Sequence, residues 1–117
     1  MDMNKMIGSL KARPDFHKMG MIASHLGVVR GTSLNGQEVT SIEVAYDHEK
    51  LSNIASEIKK MPGIVEVLIE ICEGRLNVGD DIMAVVVGGD TREHVFPALV
   101  DTVNRIKAES AKKKENF

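Results

Sequence analysis

Residues 64–71, "IVEVLIEI", decide how the chain is read. Val65, Val67, Ile69 and Ile71 share one face by a period of two, and Glu66 and Glu70 fall on the other, the pattern of a half-buried strand. Just before it, Pro62-Gly63 stops a helix predicted over 48–61. Asp47 caps that helix, because a carboxylate there accepts from the free amides of the first turn. Leu51, Ile54, Ala55, Ile58 and Met61 form its apolar stripe, with Glu49, Lys50, Glu57 and Lys59 largely off it.

Downstream, "EGRLNVGDD" (73–81) reads as a turn-rich connection. "IMAVVV" (82–87) is apolar throughout, which predicts a strand covered on both faces. Asp90 with Glu93 predicts a capping box opening a last helix, with Phe96, Leu99, Val100, Val103 and Ile106 as its core stripe. Pro97 predicts a late start or a kink. Upstream, residues 4–13 form a short helix stopped near Arg13-Pro14. "MIASHLGVV" (21–29) is a strand with Gly27 as a bulge. Asn35-Gly36 predicts a type I′ turn, after which "VTSIEVAY" (39–46) returns as a second strand, with Ile42, Val44 and Tyr46 on one face. The order is β-β-α-β-β-α. The fold class is α+β, with a mostly antiparallel or mixed sheet and helices packed on one side.

No internal repeat or low-complexity linker divides the chain, so residues 1–117 are expected to form one domain. A 117-residue chain with 43 % hydrophobic and 27 % charged residues can bury a core without metal or disulfide staples. The net charge of −2 provides no global basic field, and 3 % aromatic content without Trp provides no base-stacking platform, so nucleic acid is not an expected partner. The single cysteine, Cys72, has no internal disulfide partner and fits a reducing cytosol. "MDMNKMIGSLKARPDFHKMG" contains no apolar run of signal-peptide or membrane-span length, so a cytoplasmic location without membrane association is expected.

Five lysines or arginines crowd residues 105–115, "RIKAESAKKKE". On a continuous helix Lys107 and Lys114 would point to one side, roughly 10 Å apart, and such a pair can hold an anion at two points. A lysine in a partly dry pocket can also act in proton transfer or covalent chemistry. The plain alternative is a pair of solvated lysines favoured by the helix dipole. Arg30 ends the first strand, and Arg92 opens the last helix after Gly88-Gly89, where free amides and an arginine fork suit a phosphate. Both are also ordinary surface residues. The glycine patterns of phosphate-binding and dinucleotide-binding loops are absent. His17, His25, His48 and His94 have no metal spacing, and His25 reads as a packed or interface residue. Cys72 has no CxxC partner, and strand alternation is enough to explain Glu66 and Glu70.

Taken in order, "GMIASHLGVVRG", "EVAY", "GRLNVGD", "TREHVF" and "IKAESAKKKE" resemble the large, catalytic subunit of molybdopterin synthase, the MoaE family, over about residues 12–115. Gly20, Gly27, Val29 and Arg30 match a strand ending in F-x-G-x-V-R. Ala45-Tyr46 matches a later aromatic motif. Gly74, Leu76, Gly79 and Asp80 match G-x-L-x-x-G-[ED]. Arg92 and Phe96 match H-R-x-x-A-F, and Lys107 and Lys114 fall on two lysines seven apart. His25 stands where the family has phenylalanine, and Thr91 where it has histidine. Ile71-Cys72 replaces a His-Arg pair, and Ala111-Lys112-Lys113 replaces a Pro-aromatic-Trp anchor.

The resemblance implies an α/β hammerhead-like fold, with an N-terminal segment over 1–18 and a basic C-terminal strap over 107–117. It also implies a homodimer, and a heterotetramer with a small ubiquitin-like sulfur carrier whose C-terminal Gly-Gly ends in a thiocarboxylate. Sulfur would pass from that carrier to cyclic pyranopterin monophosphate, and two rounds would make the molybdopterin dithiolene of the molybdenum cofactor. Lys107 would be the main catalytic group, by proton transfer or a transient covalent link, with Lys114 assisting. Arg30, Arg92 and the Thr91 position would bind the pterin phosphate. No metal and no cofactor is implied. Two other readings suit the same residues. One is a non-catalytic MoaE-like dimer that binds a ubiquitin-like partner or a pterin. The other is a small structural dimer whose basic tail meets acidic partners.

Overall fold

The most apolar stretch of the chain becomes the middle strand of a sheet. A computed structural model describes all residues, 1–117. In chain order the elements are α1 (Met3–Lys11), β1 (Met21–Val28), β2 (Ser41–Tyr46), α2 (His48–Lys59), β3 (Ile64–Ile71), β4 (Gly74–Asn77), β5 (Asp81–Gly89), α3 (Arg92–Arg105), a π-helical turn (Ile106–Ser110) and β6 (Ala111–Asn116). The main sheet has the antiparallel order β1-β5-β3. Val85 and Val87 of β5 join the larger core with Ile54 and Ile58 of α2 and Val95 and Ala98 of α3. Ala84 and Val86 point the other way, onto Met6 and Leu10 of α1. The double cover expected for residues 82–87 is thus supplied by the two main helices on one face and the short α1 on the other. Arg13 then ties the chain after α1 to the sheet, pairing with both Asp15 and Glu66.

Several details differ from the sequence reading. The strands form two sheets, because β2 leaves β1 and pairs instead with β4 and β6 in the order β4-β2-β6. The "EGRLNVGDD" stretch is therefore not only a connection. It contains β4, whose residues are mostly exposed and so carry no alternation signal. Asn35-Gly36 does not make a type I′ turn, since Gly36 alone has positive φ, at 82°. The Gly36 amide bonds the Ser33 carbonyl at 3.0 Å and the Ser33 amide bonds the Gln37 carbonyl at 2.8 Å, a three-residue loop closed by a left-handed glycine.

Asp90 does not open a capping box. The N-cap of α3 is Thr91, without a side-chain cap bond, and Asp90 Oδ1 accepts instead from the Thr91 amide at 2.6 Å and from His94 Nδ1 at 2.7 Å. The buried stripe of α3 is also shifted. Val95, Ala98, Thr102, Val103 and the following Ile106 are buried, while Phe96 and Val100 are exposed by 51 % and 58 %. The polar name of Thr102 hid its place in the stripe. Its hydroxyl donates to the Ala98 carbonyl at 2.7 Å, so it enters the core satisfied. Pro97 neither delays nor ends α3. It sits in the second turn, and Glu93, whose carbonyl loses the proline-blocked bond, is exposed.

Candidate functional site

The last helix does not carry on to Lys114. α3 widens after Arg105 into a single π turn, and the chain leaves as strand β6. Both ends of the turn are fixed. Ile106 is fully buried, and Ser110 is 3 % exposed, with its hydroxyl donating to the Asp47 carbonyl at 2.9 Å. Between them Lys107, Ala108 and Glu109 are exposed. A π turn has one residue more per turn than an α-helix and is an uncommon conformation, found disproportionately at functional sites. Here it pushes Lys107 outward from an otherwise anchored segment.

Lys107 stands close to β1. Burial, and then the positive charge of Lys107, hold the imidazole of His25 below its ordinary range, so a neutral ring is favoured there. Arg30 lies beyond the end of the same strand, exposed, with Nε donating to the Thr32 carbonyl at 2.9 Å. Five strand residues at ~3.3 Å each put it about 16 Å from His25 along the backbone. The "GVVR" and "GRLNVGD" segments meet beside it. The Val29 amide bonds the Asp80 carbonyl at 2.9 Å, and the Gly79 amide bonds the Val29 carbonyl at 2.8 Å.

Lys114 is not a helical neighbour of Lys107. It sits on β6 opposite Glu43, and Glu43 is in turn opposite Arg75 of β4. These residues, with Ala45, Gly74 and Lys112, line an open cleft of about 450 Å³ on the face of the small sheet. The seven-residue spacing fails as a helical argument because backbone pairing with β2 overrides it from Ala111 onward. The Lys-rich sequence suits the place, since β6 is an edge strand and charged side chains guard such edges.

Arg92 and Thr91 lie at the far end of α3, both exposed. At 1.5 Å rise per residue the helix separates the Arg92 and Lys107 backbones by about 22 Å. One copy of the chain therefore does not bring all five candidates together. Lys107 is near His25 of β1, Arg30 lies past the end of that strand, Lys114 is on the small sheet, and Thr91-Arg92 are at the opposite helix end. Tyr46, from the aromatic motif, is a core residue, its hydroxyl pushed up to about 12 chiefly by burial and then by Cys72 and Glu73.

Two polar pairs escaped the sequence reading. Asp90 and His94 form an ion pair or hydrogen bond at 2.7 Å over Gly63, and the His94 contact is the main cause holding the Asp90 carboxyl below the carboxylate range. Arg105 forks onto Glu109 and reaches Glu57 of α2. Both the Asp90–His94 and Arg105–Glu109 pairs have the four-residue helical spacing that would have flagged them. Nowhere do three or more His, Cys, Asp or Glu gather in a way that could hold a metal ion. No helix is long and apolar enough to cross a membrane.

The arrangement of elements and the chain's motifs both have known counterparts. A molybdopterin biosynthesis MoaE protein from Burkholderia ambifaria superposes with a TM-score of 0.79 at 29 % identity, over 99 % of this chain and 79 % of that one. A molybdopterin synthase structure from Staphylococcus aureus gives 0.74 at 25 % identity, over 86 % and 76 %. A complex of subunits 1 and 2 of the molybdopterin-converting factor from Helicobacter pylori gives 0.72 at 13 % identity, over 98 % and 78 %, a likeness of fold alone. No curated protein sequence matches the chain. Residues 1–109 match the family described as MoaE protein, a span that takes in β1, the β4 segment, all of α3 and Lys107 but stops short of Lys114. With that match over most of its length and the two-sheet fold shared by these structures, the chain belongs to the MoaE family.

Proposed function

We propose that this chain is the large subunit of a molybdopterin synthase in molybdenum cofactor biosynthesis, acting as one domain. In this reading the sulfur donor is a small ubiquitin-like protein with a C-terminal Gly-Gly thiocarboxylate, and the acceptor is cyclic pyranopterin monophosphate. For each sulfur, a C–S bond forms on the pterin side chain as a C–O bond at the same carbon breaks, its oxygen leaving on the phosphate or as water. The acyl–sulfur bond of the carrier is broken by water, leaving a carrier carboxylate. Two carriers supply the two sulfurs of the dithiolene.

The observation that carries the proposal is Lys107 held outward on an anchored π turn within the family-matched residues. A lysine there can donate to the thiocarboxylate oxygen or to phosphate, and when neutral it can attack the acyl carbon. Arg30, exposed past the end of β1, would take the phosphate. Arg92 and Thr91 lie too far along α3 to reach the same ligand in one copy. We therefore assign their contribution to a second copy in a homodimer. Lys114, on the face of the small sheet, would meet the carrier rather than the pterin. Catalysis in this scheme is positioning and charge stabilisation, since the reactive sulfur arrives on the carrier.

A non-catalytic dimer is the second reading, and the separation of Lys114 from Lys107 favours it. One experiment decides between the two. The protein is mixed with a thiocarboxylated ubiquitin-like carrier and cyclic pyranopterin monophosphate, and molybdopterin is measured beside Lys107→Ala. Product from the parent but not from a folded Lys107→Ala supports the synthase. Carrier binding without product supports the binding module, and equal product from both removes Lys107 from the reaction.

A further inference from the structure

The π turn that carries Lys107 is closed across its exposed side by one guanidinium. Arg105 is the last residue of α3, just before the turn. Its Nε donates to Glu109 Oε2 at 2.7 Å, and its Nη2 to Glu109 Oε1 at 3.2 Å. Its Nη1 pairs with Glu57 Oε2 of α2 at 2.6 Å. The fork thus spans the turn from the residue before it to its fourth residue, with Lys107 between, and fastens it to a neighbouring helix. The buried ends, Ile106 and Ser110, fix where the turn begins and stops. Neither constrains the exposed arc between them, and the Arg105–Glu109 fork is the side-chain link across that arc.

Ordinary surface ion pairs contribute little, because each side chain must be immobilised for one contact. This one differs in geometry. The Arg105 side chain is only 26 % exposed, it binds Glu109 with two parallel donors, and a third donor is taken by Glu57. The same contact holds the Glu109 carboxyl below its ordinary range, with the Arg105 hydrogen bond as the largest cause.

We propose that Arg105, through its fork to Glu109 and its bond to Glu57, is a positioning residue that holds the π turn and so sets the direction of the Lys107 side chain. The inference rests on the reading of Lys107 as the group that acts on the carrier and the pterin. Positioning acts on the reacting geometry rather than on ligand affinity. Loosening the fork is therefore expected to lower kcat with little change in KM, since small misplacement of an acting group costs up to about 100-fold.

The test compares the parent with Arg105→Gln and Glu109→Gln. The second variant leaves the Arg105–Glu57 bond in place and stands in if the first does not fold. The lysines are reductively methylated with ¹³C-formaldehyde, and the Lys107 methyl resonance, assigned by its loss in Lys107→Ala, is followed by NMR. Turnover is measured with the thiocarboxylated carrier and cyclic pyranopterin monophosphate. The expected result is a Lys107 resonance that moves toward those of the solvated Lys112 and Lys113. With it, kcat should fall by about 10- to 100-fold, with KM within about twofold. A folded variant with an unmoved Lys107 resonance overturns the proposal, and so does a moved resonance with unchanged kcat. If Lys107→Ala itself retains turnover, the assignment of Lys107 fails instead, and the resonance alone decides whether Arg105 orders the turn.

Discussion

Asp47 and Ser110 hold each other by two hydrogen bonds. The Asp47 amide donates to the Ser110 carbonyl at 3.1 Å, and the Ser110 hydroxyl donates back to the Asp47 carbonyl at 2.9 Å. The Asp47 carboxylate meanwhile accepts from the Lys50 amide at 3.1 Å and so caps α2. The start of one helix and the exit of the Lys107 turn are thus secured at a single residue.

Ser110→Ala is expected to destabilise the fold by about 1 kcal/mol, the usual net value of one intramolecular hydrogen bond. The cost stays near that figure because the Asp47 carbonyl keeps a second donor, the Leu51 amide at 3.1 Å. Urea unfolding should show a lower midpoint at unchanged slope. A midpoint equal to the parent's would mean that the hydroxyl contributes nothing to closing the turn.

Gly63→Ala is expected to cost more, about 2–4 kcal/mol, because two penalties combine. Gly63 has φ +78°, where a side chain is strained, and an added methyl group would collide with Asp90 Oδ1 and His94 Nδ1. The variant should lose the Asp90–His94 pair, visible by NMR as an Asp90 carboxyl that moves back up toward the ordinary carboxylate range. A midpoint shift as small as that of Ser110→Ala would show that the loop yields freely and that the pair is not held by it.

The strand over 64–71 and the helix over 48–61 are legible because one-sided burial writes a period into their side chains, and the strand over 82–87 because burial on both faces requires a continuous apolar run. β4 and β6 are not, for a common reason. Both pair with β2 chiefly through backbone, and residues such as Arg75, Lys112 and Lys114 are exposed on the sheet's open face. A lysine-rich run carries no alternation of hydropathy, so the sequence offers only helical continuation for Lys114, which the structure places on β6. Of the proposed site, Lys107 and Arg30 rest on the family motifs. The clamps around Lys107 have no such signal, since Asp47–Ser110 joins residues far apart in sequence and only Arg105–Glu109 leaves a four-residue trace.

His25 predicts a pH dependence. Its folded-state value lies below the ordinary 6.5, so above 6.5 the ring is neutral in both states. As the pH falls below that point the unfolded chain takes up a proton that the folded chain resists. The stability contribution is therefore present above the unfolded value and is lost on acidification through that window. His25→Phe removes this linkage. Between about pH 7.5 and 5.5 its Tm should fall less than the parent's. The two curves running parallel would show that His25 is as easily protonated in the fold as out of it.

The ~22 Å of α3 between Arg92 and Lys107 makes the last prediction. If both act on one pterin, they must come from different copies in the proposed homodimer. Lys107→Ala and Arg92→Ala are then each inactive alone, yet complementary. In a dimer of one of each, one site carries both lesions and the other carries none. Unfolding, mixing and refolding equal amounts gives about half such mixed dimers, each with one intact site, so activity should return to about a quarter of the parent's. Recovery near that fraction establishes a site shared between copies. No recovery, with mixed dimers confirmed by native mass spectrometry of a tagged partner, would place both residues' roles within one copy. Since the rigid helix keeps them apart, Arg92 would then act away from the reacting atoms.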